Sequence, residues 1–214
     1  SASKSWGPTP QFFEPGASST IALGVQSNSN LPVDSLVLQE PADAADGAST
    51  LSASNPFTIT DFTGFGESTL PAGAETVQVD AYVFQDGAWN WVEGTAASEP
   101  GLPAGVAAGD VGGLRLTYAD GVEVEGSGSI EIELAQRATH RNTDADVSLE
   151  SHTVNNTATG TATLEGFDSA TDEASATYTV NPVDLGVAAT KNVSPDQITA
   201  GESATATLSA SNLA

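Results

Sequence analysis

The chain has 214 residues, a formal net charge of −23 and neither cysteine nor methionine. That length can bury a real core, and the missing cysteines exclude disulfides, thiol nucleophiles and thiolate metal sites. Rigidity must therefore come from packing, from bound cations or from some other crosslink. Only five cations, Lys4, Arg115, Arg137, Arg141 and Lys191, stand against 28 Asp and Glu, so nucleic acid and anionic membranes are repelled as partners. No apolar run approaches the roughly 20 residues of a membrane helix. No membrane insertion is expected in this segment, and any signal peptide or anchor is expected outside it.

In chain order, apolar and polar residues alternate with period two through Thr20–Val25, Ser35–Leu38, Thr76–Phe84, Leu114–Tyr118, Ser129–Leu134 and Ala174–Val180. Such alternation gives a sheet one buried and one wet face. Phe57–Thr60 and Trp89–Val92 read as further strands. Turn formers separate the runs: Pro15-Gly16, Asp46-Gly47, Pro71-Ala72-Gly73, Asp86-Gly87, Asp120-Gly121 and Gly126-Ser127-Gly128. Helical periodicity is missing, so about ten short strands predict an all-β sandwich.

The chain contains an internal repeat. Lys4-Ser5-Trp6-Gly7-Pro8, Gly16 to Leu23 and Ser29-Asn30-Leu31 return as Lys191-Asn192-Val193-Ser194-Pro195, Gly201 to Leu208 and Ser211-Asn212-Leu213. Lys-to-Pro and Gly-to-Leu spacings are the same in both copies, and the Lys-to-Lys offset, 191 − 4 = 187, gives the length of one unit. Residues 185–214 thus read as the opening strands of a following repeat. Asn181-Pro182-Val183-Asp184-Leu185 reads as a linker stiffened by proline.

The order Lys-x-x-x-Pro, Pro15-Gly16 before a Thr-rich strand, a strand running into Glu40-Pro41, the 126–134 strand, Val154-Asn155-Asn156-Thr157-Ala158 and a closing Ala176–Val180 resembles the conserved immunoglobulin-like repeat of Gram-positive surface proteins and adhesins. The resemblance covers about residues 1–44 and 122–184 and the C-terminal fragment. It implies an immunoglobulin-like β-sandwich spanning 1–184, with residues 45–121 as a β-rich insertion. Leu70–Ala74 and Gly113–Tyr118 resemble jelly-roll binding modules. The expected role is a non-catalytic stalk or adhesin repeat of a secreted or wall-attached protein, extracellular, with neighbouring repeats as partners. The alternative is a module recognising a carbohydrate or host protein.

Asp86-Gly87 is a two-residue hairpin signal that pairs Phe84 with Trp89 and Tyr82 with Trp91, putting four rings on one face. That face could stack on sugars or a partner, or it could be core. The family resemblance also raises a spontaneous isopeptide bond between Lys4 and a late-strand Asn, Asn156 or Asn181, assisted by Glu133 or Glu131, while the residues alone read equally as a solvated edge-strand lysine and asparagines that satisfy backbone at strand ends. A buried amine made neutral by desolvation is what such chemistry needs. Asp144 and Asp146, in Asn142-Thr143-Asp144-Ala145-Asp146, space oxygen donors at alternate positions as a calcium loop does, though Val147 occupies the place an EF-hand reserves for glycine. No other cofactor is expected. His140 and His152 lie in no catalytic motif.

Overall fold

The computed structural model describes residues 1–183 and 185–212, so Asp184 of the linker and Leu213 of the second Ser-Asn-Leu phrase lie outside the described residues. Two compact units are present, Ser1–Pro182 and Val183–Ala214. In the first, strands β1 (Ala2–Gly7), β2 (Gln11–Phe12), β3 (Ser18–Gln26), β4 (Val33–Glu40), β5 (Thr60–Thr69), β6 (Val77–Gln85), β7 (Ala88–Val92), β8 (Val111–Val122), β9 (Ser127–Gln136), β10 (His152–Thr163) and β11 (Ala170–Asn181) follow one another. They form a four-stranded sheet, β1-β3-β9-β5, and a seven-stranded sheet, β2-β11-β10-β4-β8-β6-β7. The short β2 runs parallel to β11. The second unit is the antiparallel hairpin β12 (Val187–Ser194) and β13 (Thr205–Asn212).

Alternation dictates the packing. On β3 and β9, Ile21, Leu23, Val25, Ile130, Ile132 and Leu134 all point to one side and are buried. Leu36, Leu38, Leu116, Val154, Tyr178 and Val180 of the larger sheet join them in one core, as two stacked sheets do when each dries one face. The 45–121 stretch is built into both sheets: β5 pairs with β9, while β6, β7 and β8 extend the larger sheet beyond β4.

Three local expectations come out differently. Of the expected strand Phe57–Thr60, only Thr60 is strand, at the start of β5. Pro56–Thr58 is a 3-10 turn, because the Asn55 side chain accepts the Phe57 N–H at 2.8 Å and donates to Gly112 C=O, also at 2.8 Å, capping a turn that Pro56 starts. Residues 120–121 lie inside β8, where the register with β4 shifts between Val33 and Ser35, so Gly121 at φ 94° makes a bulge where a turn was expected. β5 carries no alternating apolar signal because glycines interrupt it. A Cβ on Gly66 would come within 2.8 Å of Glu131 Oε2.

The aromatic hairpin forms as predicted, with Asp86 at φ 54° and Gly87 at φ 85° turning β6 into β7 and pairing Phe84 with Trp89 and Tyr82 with Trp91. Its rings are mostly interior. Tyr82 and Trp89 are 2% and 5% exposed, and the Tyr82 hydroxyl donates to Ala45 C=O at 2.5 Å. The backbone at Gly47 and Ala48 bonds along Trp89, and the Trp89 ring fills the space a side chain on Gly112 would need. Trp91 is half-buried under the Arg115 guanidinium, 4.7 Å from its centroid. Phe84 alone of the four is exposed, at 54%. The 41–55 segment covers the rings, so the four do not form one recognition face. Trp89→Ala should accordingly lower stability by about 3–5 kcal/mol, and Phe84→Ala by under about 0.5 kcal/mol, read from urea midpoints. Equal small losses would mean that Trp89 is not core.

Candidate functional site: a buried lysine, carboxyl and carboxamide

Lys4, Glu40 and Asn156 come from three strands and meet inside the sandwich. On β4 the buried positions are Val33, Leu36, Leu38 and Glu40, so alternation places a carboxyl on the apolar face at the strand's end. On β10 the buried positions are Val154, Asn156, Ala158 and Gly160. β4 and β10 are antiparallel neighbours with Gln39 opposite Thr159. Continuing that register by one residue sets Glu40 beside Ala158, one alternate position from Asn156. β1 belongs to the other sheet and crosses this face. A Cβ on Gly160 would lie 3.3 Å from Ala2 Cβ, and Trp6 stacks on Tyr178 at 4.4 Å and 9°, where Tyr178 is the cross-strand partner of Val154. Lys4, midway between Ala2 and Trp6, is thereby held over the middle of the same stretch of β10.

The side chains of Lys4 and Glu40 have no solvent exposure, 0% each, and Asn156 has none. Lys4 Nζ donates to Glu40 Oε2 at 2.5 Å. Burial lowers the Lys4 amine against the pull of Glu40. Burial also pushes the Glu40 carboxyl up to about 7, against the charge of Lys4 and the nearby Asn156 carboxamide. Both shifts favour the uncharged forms. Asn156 Nδ2 donates to Ser54 C=O at 3.2 Å, which fixes which end of the amide is oxygen. Glu40 Oε1 and Asn156 Oδ1 are each buried without a partner. Two orphaned acceptors at one buried site are costly.

The neighbourhood is dry and well fastened. Trp6 Nε1 donates to Ser19 Oγ at 3.1 Å, the Tyr178 hydroxyl donates to Gln11 Oε1 at 2.5 Å, and Gln136 Nε2 donates to Tyr178 at 3.0 Å. The arrangement sets an amine in hydrogen-bond contact with a carboxyl, near a carboxamide, with all three side chains out of solvent.

The other sequence-derived candidates lie elsewhere. Glu133 is not the helper: it alternates with buried Ile132 and Leu134, is exposed on the outer face of β9, and faces β5 near Gly64. Glu131 shares that outer face, beside Gly66. Asn181 ends β11 and meets Ser151 Oγ at 3.5 Å, away from Lys4. Asp144 and Asp146 are exposed on a loop closed by its own backbone bonds, Asp144 N–H and Thr143 N–H to His140 C=O and Val147 N–H to Ala138 C=O. Among the described residues, no group of three or more His, Asp or Glu converges as a metal site. A cleft of about 290 Å³ beside Phe84 and Trp89 is lined by Arg141 and Asn142. Their polar atoms are already committed, Arg141 to Phe57 C=O, Gly109 C=O and Asp61, and Asn142 to Leu51. Glu40 is the residue that sequence reasoning missed. Its signal was its position in phase with Leu36 and Leu38.

No family model and no curated protein matches the chain. Among solved structures it is similar to the major pilin subunit of Bacillus cereus, with TM-score 0.42 and 10% identity over 99% of this chain, which spans 55% of that one. It is also similar to the collagen-binding domain of a Staphylococcus aureus adhesin, with TM-score 0.32 and 11% identity over 84% of this chain and 95% of that domain. A third likeness is to the collagen-binding subdomain of the Enterococcus faecalis surface protein ACE, with TM-score 0.34 and 8% identity over 85% and 94%. No helix of the described residues is long and apolar enough to cross a membrane.

Proposed function

We propose that Ser1–Pro182 is a non-catalytic, load-bearing sandwich repeat of a secreted or wall-attached surface protein, locked by a spontaneous amide between Lys4 Nζ and Asn156 Cγ. The observation that carries this is the fully buried Lys4–Glu40 pair beside an Asn156 oxygen with no donor. The ammonium passes a proton to Glu40, and the neutral amine attacks Asn156 Cγ. The protonated Glu40 polarises Asn156 Oδ1 and stabilises the oxyanion as charge develops on it. The attacking nitrogen sheds one proton and Glu40 returns the other as the Cγ–Nδ2 bond breaks, so that Nδ2 leaves as an ammonium, an ammonia carrying the proton that began on Lys4. One amine and one carboxamide become one secondary amide and one ammonia, and Glu40 ends as it started.

The mechanical consequence follows from topology. A bond from β1 to β10 encloses residues 5–155, so tension applied between residue 1 and residue 182 passes through the amide and leaves most of the sandwich unloaded. A domain without cysteine gains in this way a crosslink that reduction cannot open.

Intact mass should fall short of the sequence mass by one ammonia in the native chain, and by none in Lys4→Met, Asn156→Ala or Glu40→Ala. A full sequence mass for the native chain would overturn the proposal. For a covalent loop of this length the chain-entropy estimate is about 5 kcal/mol. The unbonded variants should therefore melt lower by about 10–20 °C for a domain of this size.

The proton inventory gives a second test. Glu40 binds its proton more tightly folded, at about 7, than at the ordinary 4.5. The folded state then holds more protons between those values, and stability falls as pH rises through them. In Lys4→Met the carboxyl also loses its cation and the window extends upward. That variant should lose stability as pH rises from about 4.5 through and beyond about 7, with a slope of up to about 1.4 kcal/mol per pH unit. Adding Glu40→Gln should flatten this component of the urea-midpoint profile, and a profile unchanged by the second substitution would place the titration elsewhere.

A further inference from the structure

Phe84 is the ring of the hairpin left outside the core, at 54% exposed, yet it is not loose. It meets Trp89 edge to face, 5.6 Å between centroids at 62°, so a buried neighbour props the phenyl ring up. Phe84 is also a shared wall between two clefts. One, of about 290 Å³, is completed by Ser49, Thr50, Arg141 and Asn142. The other, of about 250 Å³, is apolar along Val83, Val92 and Val106. Asp110 borders both.

The polar groups of the first cleft divide into those that brace backbone and those that are free. Asn142 accepts the Leu51 N–H at 3.1 Å and donates to Leu51 C=O at 2.8 Å, which fixes the chain next to Thr50. Arg141 Nη1 donates to Gly109 C=O at 2.9 Å, which fixes the chain next to Asp110. The Trp89 N–H donates to Ala48 C=O at 2.7 Å, which fixes the chain next to Ser49. Three pieces of backbone, the 41–55 segment, the Ala108–Asp110 turn and β6, are thus held around one space. The side chains of Ser49, Thr50 and Asp110 are exposed, and among the described residues none of them makes a hydrogen bond. A phenyl ring, a carboxylate and two hydroxyls therefore stand in water on braced backbone, preorganised for a ligand.

Their chemistry names its class. The π face of Phe84 takes an apolar C–H face. A carboxylate accepts through two oxygens and suits two adjacent hydroxyls, while Ser and Thr hydroxyls both donate and accept, as a polyol requires. A cationic ligand is disfavoured, because Asp110 already acts on the charge of Arg141. An anionic one would approach that carboxylate on a chain of net charge −23. Both clefts lie at the small end of ligand pockets, the scale of a single ring. We infer that Phe84, Asp110, Ser49 and Thr50 form a binding site for a neutral hexopyranose, its C–H face on Phe84 and two adjacent hydroxyls on Asp110, with the neighbouring residue of an oligosaccharide in the cleft across Phe84. The site gives the domain an adhesive function besides bearing load, and it does not depend on the Lys4 crosslink.

The test titrates the isotope-labelled 214-residue chain with neutral gluco-, galacto- and manno-oligosaccharides, with an oligouronate and with an oligolysine, and follows backbone amide shifts. A neutral oligosaccharide should move the amides of Ser49, Thr50, Phe84 and Asp110 saturably. Phe84→Ala and Asp110→Asn should each weaken binding by about tenfold or more, Phe84→Trp should retain it, and all three should leave the urea midpoint in place. No saturable shift at these residues with any neutral oligosaccharide at millimolar concentration overturns the inference, as does binding that survives both Phe84→Ala and Asp110→Asn. A response to the oligouronate or the oligolysine alone also overturns it, since the site would then select an ion. None of these outcomes changes the intact mass, so the Lys4 reading stands or falls separately.

Discussion

A lysine and a glutamate with no exposure between them are the constraint around which the first unit is organised. Removing two charges from water costs several kcal/mol per ion even after relaxation. One hydrogen bond of 2.5 Å recovers only part of that, which is why burial shifts both groups toward neutrality. Proton transfer between them abolishes the charges without changing the geometry. The same transfer produces the nucleophile and the acid that an amide-forming step requires. In the proposed crosslinking step, the feature that looks like a stability defect becomes the activation step, and the two orphaned oxygens beside it are its counterpart.

The surrounding sandwich can be read as the means of keeping that geometry. β1 must lie close enough to β10 for a lysine to span the core, and small residues allow it: Gly160 leaves no room for a Cβ against Ala2 and Val25, and Ala158 and Ala162 continue the low surface. Just along β1, the Trp6–Tyr178 stack fills the gap with two large rings, and its polar edges are tied to Ser19, Gln11 and Gln136. The thin part of the core therefore holds the chemistry, and the thick part beside it excludes water. The aromatic hairpin belongs to the same logic at the far side of the larger sheet, where its rings close the space under the 41–55 segment.

Much of this was legible before any coordinates. Strands with clean alternation, such as Thr20–Val25 and Ser129–Leu134, appear where expected, and Asp86-Gly87 closes the hairpin in the predicted register. Two elements were misread because a local signal overrode periodicity: Asn55-Pro56 capped a turn inside an apolar run, and glycines hid β5. The resemblance singled out Lys4 with Asn156 or Asn181, and of these it is Asn156 that is buried in the sandwich as the Lys4 side chain is. The acid beside Lys4 was expected to be Glu133 or Glu131, although alternation argues the other way, since both are out of phase with Ile132 and Leu134 while Glu40 is in phase with Leu36 and Leu38. An acidic residue on the apolar phase of a strand was the mark of the site. Which aromatic rings would be covered was not readable, because the cover comes from a loop without periodicity.

A chain this acidic would ordinarily gain solubility and counter-charge from surface lysines, which are cheap, flexible and well hydrated. This one has two in 214 residues, and each sits opposite a leucine on the apolar face of an opening hairpin. Arginine does the remaining ionic work: Arg115 holds Asp80 through Nε at 3.0 Å and Nη2 at 2.8 Å, and Arg137 and Arg141 converge on Asp61 at 2.5 and 2.7 Å. The division follows from acidity. Guanidinium keeps its proton at any depth and suits a permanent pair, whereas an amine can lose its proton and so can become part of the backbone of the fold. In a sandwich with no thiols, lysine is the residue from which a covalent tie between sheets can be made.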